Sequence, residues 1–309
     1  MKIAIQGLGR MGMQIAKKLS EGRHEVIGLD MLADNVNKAV AFGVKSANNK
    51  QQVVELFGSD KAIIWLMLPA ELVNSQVDEW LALLPEGSII IDGGNSDFRN
   101  TKELNNRVTL AGKQLIDIGV SGGVWGYKNG FPLMCGSDSS TSFETIKPIL
   151  ETLVKPDGAY YLFGPSGSGH YVKMVHNAIE YGMMESLGEG FHMLHDGPYK
   201  INLTEAAKLW QRHSVITSWL NDLSYQAFAE NPELDGVSGY VAESGEARWT
   251  LEVANKNGIK LPSIQAAFDV RIASQKGETN FATKVVAAQR NKFGNHNLNG
   301  EGSARRSSE

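Results

Sequence analysis

The sequence predicts an α/β chain in which an N-terminal doubly wound domain precedes an all-α domain. Two observations predict it. Through the first half, short and nearly continuous apolar runs alternate with helical periodicities. Past the cluster Gly164-Pro165-Ser166-Gly167-Ser168-Gly169, a strong chain breaker, strand signals almost vanish. A length of 309 residues leaves room for two domains of ordinary size.

In chain order, the apolar runs at 3–5, 26–29, 62–67, 88–91, 115–118 and 160–163 read as strands. Helical patterns lie between them at 11–20, 33–42, 51–57, 72–84, 101–111 and 141–153. Strands that are apolar nearly throughout, separated by helices, indicate a parallel sheet covered on both faces. The right-handed crossover rule then gives a doubly wound domain. The second half reads as one long helix at 170–195, then helices at 204–212, 215–228, 246–255, 263–276 and 282–291. The expected domains are 1–165, doubly wound, and 166–298, all-helical. The polar, charged stretch 299–309 is expected to be a disordered tail.

Hydrophobic residues make up 42% and charged residues 21%, an ordinary globular balance. A formal net charge of −4 offers no broad basic surface for a nucleic-acid backbone. The single cysteine, Cys135, excludes an intrachain disulfide framework, fits a reducing compartment, and is expected to pack as a small hydrophobe. The first apolar run meets glycine too early for a signal peptide, and no run approaches the ~18 apolar residues of a membrane helix. The chain reads as a cytoplasmic protein without nucleic-acid or membrane partners.

The first strand runs into Gly7-Leu8-Gly9-Arg10-Met11-Gly12, a G-x-G-x-x-G that opens a helix, and Asp30 closes the second strand. This context makes the motif a dinucleotide signature of the Rossmann type. Gly7 permits the tight turn, Gly9 lets backbone approach a pyrophosphate, and Gly12 permits close helix–strand packing. The helix N-terminus offers free N–H groups and partial positive charge to the phosphates. Asp30 would accept the ribose hydroxyls and repel a 2′-phosphate, and Met31-Leu32-Ala33 supply no cation for one. The expected cofactor is therefore NAD rather than NADP, with Leu68, Pro69 and Asn95 along its path.

The long helix carries Lys173, His176, Asn177, Glu180 and Tyr181 at i, i+3, i+4, i+7 and i+8, hence on one face. Met174, Val175, Ala178 and Ile179 are expected to cover the opposite side. The pattern alone fits a solvated stripe as well as a reactive face. Two further segments favour the reactive face: Asp92-Gly93-Gly94-Asn95-Ser96 and Gly119-Val120-Ser121-Gly122-Gly123. Each leaves the C-terminal end of a buried strand, where open α/β sheets place ligands.

These segments, with Lys173 through Tyr181, Ala247-Arg248-Trp249-Thr250 and Phe293-Gly294-Asn295-His296, resemble decarboxylating 6-phosphogluconate dehydrogenases of the short bacterial form. That family lies within the β-hydroxyacid dehydrogenase superfamily. The resemblance spans nearly the whole chain. It implies oxidative decarboxylation of 6-phospho-D-gluconate to ribulose 5-phosphate and CO2 without a metal. Lys173 would be the general base, neutral at the outset, and Glu180 the acid that protonates the enediol. Asn95, Ser121, Gly122, Gly123, His176 and Asn177 would meet the substrate carboxylate and hydroxyls, and Tyr181 and Arg271 the phosphate. Arg290 and His296 match a tail Arg and His that reach a neighbouring subunit's site, which implies a homodimer or a dimer-based tetramer. Ser244 and Glu246 replace a phosphate-binding Lys and Thr of longer relatives, so Glu246 is expected to point away or pair with Arg248. The alternatives are a 3-hydroxyacid dehydrogenase acting on a small unphosphorylated substrate, and a non-catalytic dinucleotide sensor.

Overall fold

The computed structural model describes residues 1–298, and the tail expected at 299–309 lies outside the described residues. The chain divides into two compact units, the first Met1–Met174 and the second beginning at Val175. The first unit contains, in order, β1 (Lys2–Gln6), α1 (Arg10–Glu21), β2 (Glu25–Leu29), α2 (Ala33–Val40), β3 (Lys45–Ser46), α3 (Lys50–Phe57), β4 (Ile63–Leu66), α4 (Ala70–Leu83) and β5 (Ile89–Asp92). It continues with α5 (Phe98–Leu110), β6 (Gln114–Val120), α6 (Gly126–Asn129), β7 (Leu133–Ser137), α7 (Ser140–Leu153), β8 (Tyr160–Gly164) and the start of α8 (Ser168–His195).

The strands form one sheet in the order β3-β2-β1-β4-β5-β6-β7-β8. Neighbours pair parallel except β6 and β7, which are antiparallel. Alternate residues face two separate cores. Ile3, Ile5, Trp65, Ile91, Ile116 and Ile118 pack on one side with Ile15 and Leu19 of α1 and Ile146 of α7. Ala4, Ile64, Leu66, Ile90 and Leu115 pack on the other with Val77 and Trp80 of α4 and Val108 of α5. Period-two alternation with apolar residues on both faces is what a doubly wound sheet requires.

The expectation of a wholly parallel, six-stranded sheet needs correction. The added β3 is two exposed residues, too short to show a periodicity. The added β7 mixes Met134, Cys135, Gly136 and Ser137, so it lacks the β-branched apolar character of β6. The link through α6 returns it antiparallel to β6, and Cys135 lies fully buried within it. Burial, then the nearby Asp117 charge, pushes the Cys135 thiol up to about 12, so the group behaves as a small hydrophobe.

The second unit is helical, with the rest of α8, α9 (Leu203–Trp210), α10 (Trp219–Glu230), α11 (Glu246–Lys256), α12 (Pro262–Ser274) and α13 (Phe281–Gly294). Its main core gathers Met184, Phe191, Leu223, Phe228, Phe281 and Val285. The rings of Phe191 and Phe228 meet edge to face with centroids 4.9 Å apart. α10 starts four residues later than its periodicity predicts. Ser218 accepts the Asn221 N–H as N-cap, and Val215 and Ile216 stay exposed before it. Among the described residues no helix is long and apolar enough to cross a membrane.

Candidate active site

In the first unit the turn between β1 and α1 is fixed by backbone geometry. Gly7 has φ +93°, and a Cβ there would collide with the carbonyl of Met67. A Cβ on Gly12 would overlap the Gly7 carbonyl, whereas a Cβ on Gly9 would meet nothing within 4 Å. The turn is thus packed on its inner side and open at Gly9, where α1 begins. Leu8 is buried, Arg10 is exposed and Met11 is half-buried. Asp30 braces this turn: Oδ2 accepts the Leu8 N–H at 2.6 Å, and Oδ1 accepts the Leu32 N–H at 2.8 Å. The chain beyond is exposed, Met31 at 95%.

Leu68 and Pro69 follow β4, half-buried and exposed, and Asn95 follows β5 on an exposed turn. Beside Asn95, the buried Asp92 Oδ2 and Ser96 Oγ have no hydrogen-bond partner among the described residues. Such orphaned acceptors and donors mark a place for solvent or ligand. After β6, Ser121, Gly122 and Gly123 are half-buried, and both glycines have positive φ, +98° and +52°.

Lys173 is 7% exposed and lies over β6. A Cβ on Gly119 would collide with Lys173 Cβ and stand 2.8 Å from its Cγ, so the glycine leaves room for the lysine stem. Two residues earlier on β6, the fully buried Asp117 holds the start of α8. Its Oδ1 accepts the Gly167 N–H at 2.6 Å, and its Oδ2 accepts the His170 N–H at 2.9 Å. A carboxylate on unpaired N–H groups at a helix N-terminus is favoured by both hydrogen bonding and the dipole. Strand signals alone hid Asp117, because it sits inside an apolar run.

In the second unit α8 continues with His176, Asn177, Glu180 and Tyr181. Tyr181 is 5% exposed and packs with Ala178, Ala247 and Ala267. The guanidinium carbon of Arg271 stands 3.3 Å from the Tyr181 ring centroid, and Arg271 itself is buried. Arg271 is therefore no surface charge. Arg290 is buried on α13, where burial and then the Arg271 charge lower its guanidinium to about 10. The negative charges of Glu180 and Glu246 act on it in the opposite sense but do not offset the loss. Arg290 thus feels the charges of Arg271, Glu180 and Glu246. His296 follows α13, its ring edge-on to Phe293. The face of α8 expected to be covered by apolar side chains is only partly so: Met174 and Ala178 are buried, but Ile179 is 51% exposed.

Residues 2–164 match the family model for the NAD binding domain of 6-phosphogluconate dehydrogenase, and residues 169–300 that for its C-terminal domain. The chain is 35% identical over 301 residues to the NAD(+)-dependent, decarboxylating 6-phosphogluconate dehydrogenase of Haloferax volcanii, covering 96% of this chain and 98% of that one. It belongs to the 6-phosphogluconate dehydrogenase family. The fold is that of Plasmodium falciparum 6-phosphogluconate dehydrogenase (TM-score 0.79, 24% identity, 96% of this chain and 66% of that). It is also that of a 3-hydroxyisobutyrate dehydrogenase from Salmonella typhimurium (TM-score 0.75, 18% identity, 92% and 98%).

Within a 6-phosphogluconate dehydrogenase chain the segment Ser244 to Trp249 takes a form that its sequence does not suggest. Arg248 pairs with Glu243, not with Glu246. Glu246 points inward, 2% exposed, and takes hydrogen bonds from Asn177 Nδ2 at 2.9 Å and Ser244 Oγ at 2.6 Å. The expectation that Glu246 turns away or pairs with Arg248 is thus corrected. Position 246 thus holds a buried acceptor. Among the described residues no group of three or more His, Cys, Asp or Glu is placed to hold a metal ion.

Proposed function

We propose that this chain catalyses the oxidative decarboxylation of 6-phospho-D-gluconate to D-ribulose 5-phosphate and CO2, with reduction of NAD. The observation that carries the reading is the buried Arg271 stacked on the Tyr181 ring, with a second buried guanidinium, Arg290, whose charge it repels. Two buried guanidiniums that repel one another are costly, and the charges of Glu180 and Glu246 offset the cost to Arg290 only in part. A phosphate group meets that need, and Arg is suited to bind it through paired hydrogen bonds. A small unphosphorylated 3-hydroxyacid would leave the pair unused.

The nucleotide fits the turn after β1: the open side of Gly9 and the α1 N-terminus would take the pyrophosphate, with Leu8, Arg10, Met11, Leu68, Pro69 and Asn95 around it. When bound, the nicotinamide would supply the acceptor for the hydride that leaves substrate C3. The Asp30 carboxylate favours NAD, because it would repel a 2′-phosphate and no cation stands at 31–33 to offset that.

Lys173 takes the proton from the C3 hydroxyl, the role of a general base. Once protonated, it donates to the C3 ketone oxygen and stabilises the charge that builds there as the carboxylate leaves as CO2. Glu180, two turns further along α8, delivers a proton to the carbon that has lost CO2, which becomes C1 of the product. Their seven-residue separation corresponds to ~10 Å of helix, suiting two groups that serve different carbons. Asn95, Ser121, Gly122, Gly123, His176 and Asn177 orient the carboxylate and hydroxyls, and Tyr181, Arg271, Arg290 and His296 hold the phosphate end.

The test is to mix protein, NAD and 6-phosphogluconate and follow NADH and CO2 together. Equal yields of both support the reading, and NADH without CO2 supports the unphosphorylated-acid alternative. Lys173→Met should abolish turnover while NAD still binds, and surviving activity would overturn the assigned base. We further infer a homodimer or dimer-based tetramer, supported by the apolar side chains Ile179, Met183 and Met193 that α8 leaves exposed. A fully active monomer in analytical ultracentrifugation would exclude it.

A further inference from the structure

His176 and Asn177 form part of a directional chain of hydrogen bonds that ends on Glu246. Gly245, with φ +104°, turns the backbone so that Glu246 enters α11 pointing inward. Both its carboxylate oxygens accept: Oε2 from Ser244 Oγ–H, and Oε1 from Asn177 Nδ2. This fixes which way the Asn177 amide faces. With the amide reversed, Oδ1 would oppose Oε1, acceptor against acceptor. Asn177 Oδ1 therefore points to the His176 ring, where Nδ1 lies 2.9 Å away. An acceptor at that distance requires the ring proton on Nδ1. A neutral imidazole has one N–H, so its other nitrogen, Nε2, is left as the acceptor.

We propose that Glu246 is a positioning residue that, through the Asn177 amide, holds His176 as its Nδ1–H tautomer and makes Nε2 a proton acceptor. A substrate hydroxyl meeting His176 at Nε2 would then donate to the ring. A ring with the opposite tautomer could only donate there and would reject a hydroxyl hydrogen bonded that way. This gives a role to the departure at 246: the carboxylate selects the direction of a hydrogen bond to substrate without touching it. The use of that hydrogen bond rests on the function proposed above, whereas the tautomer does not.

The two are separated by measuring the tautomer with no substrate present. Full-length protein labelled with ¹⁵N-histidine is observed by long-range ¹H–¹⁵N correlation at pH 8, where an ordinary imidazole is neutral. The His176 signals are identified by their loss in His176→Gln. A protonated Nδ1 and an unprotonated Nε2 are expected for the native chain, and the Nε2–H pattern would overturn the proposal. Glu246→Ala should give a mixture of tautomers. Glu246→Gln, which keeps an acceptor for Asn177 Nδ2, should restore the native pattern. A folded Glu246→Ala protein with the native single tautomer would also overturn it. If Glu246→Ala fails to fold, the native spectrum and Glu246→Gln still decide. Failure of 6-phosphogluconate turnover would sink the function and leave the tautomer result standing.

Discussion

Gly119 of β6 lies directly beneath Lys173 of α8, and a single methyl group on the glycine would occupy the space of the lysine Cβ. The position of the buried amine is thus set by what the strand lacks. Asp117, on the same face of the strand two residues earlier, grips the start of the same helix.

Gly119→Ala should fold but force α8 away from β6. Overpacking of this kind costs about 1–3 kcal/mol, read as a lower urea midpoint. Displacement of Lys173 by about 1 Å should lower kcat roughly 100-fold. NAD affinity, measured by fluorescence titration, should stay unchanged, because the turn at Gly7–Gly12 is elsewhere.

Asp117→Asn keeps the shape but replaces one acceptor oxygen with an NH2 that faces a backbone N–H. Loss of that buried hydrogen bond should destabilise the protein by about 1–3 kcal/mol. Calorimetry should show a lower Tm. A Tm equal to the parent's would mean that the α8 start is held by other contacts.

Asp30→Ser removes a carboxylate that braces Leu8 and, in the proposed complex, meets the ribose. Hydrogen bonds to a charged group contribute about 1.5–3 kcal/mol, so kcat/KM for NAD should fall roughly 10- to 100-fold. The value for NADP should rise or hold. An equal fall for both cofactors would show that Asp30 shapes the turn without choosing between them.

Glu185, buried on α8, supplies a pH signature. Burial, then the charge of Glu189, raises its carboxyl from 4.5 to about 7, with Arg271 pulling the other way. Below pH 4.5 both folded and unfolded chains hold the proton. Between 4.5 and about 7 the unfolded chain releases it first, so this group makes stability fall as pH rises, and above 7 the deficit is constant. Glu185→Gln should therefore be more stable than the parent at pH 8, with the gap closing towards pH 4. A gap independent of pH would contradict this assignment.

Much of the fold was legible because β1, β4, β5 and most of β6 are apolar on both faces and helical periodicities separate them. β7 escaped because Gly136 and Ser137 dilute its apolar character, and β3 because it is two residues long. At the site, Lys173 and its neighbours could be named from their helical spacing and from a motif. Asp117 could not, since one acid inside an apolar strand gives no hint of the helix it holds. Glu246 looked like a misplaced charge beside a phosphate contact. Only its burial and its partners Asn177 and Ser244 reveal an acceptor in use.

The grip of Asp117 on Gly167 and His170 sets the rotational phase of α8 as well as its starting point. An α-helix turns by about 100° per residue. Deleting one residue between His170 and Lys173 would leave the anchor in place but swing Lys173 a quarter-turn or more, off its place over Gly119. The few residues after the anchor therefore behave like the teeth of a timing gear, in which the number counts.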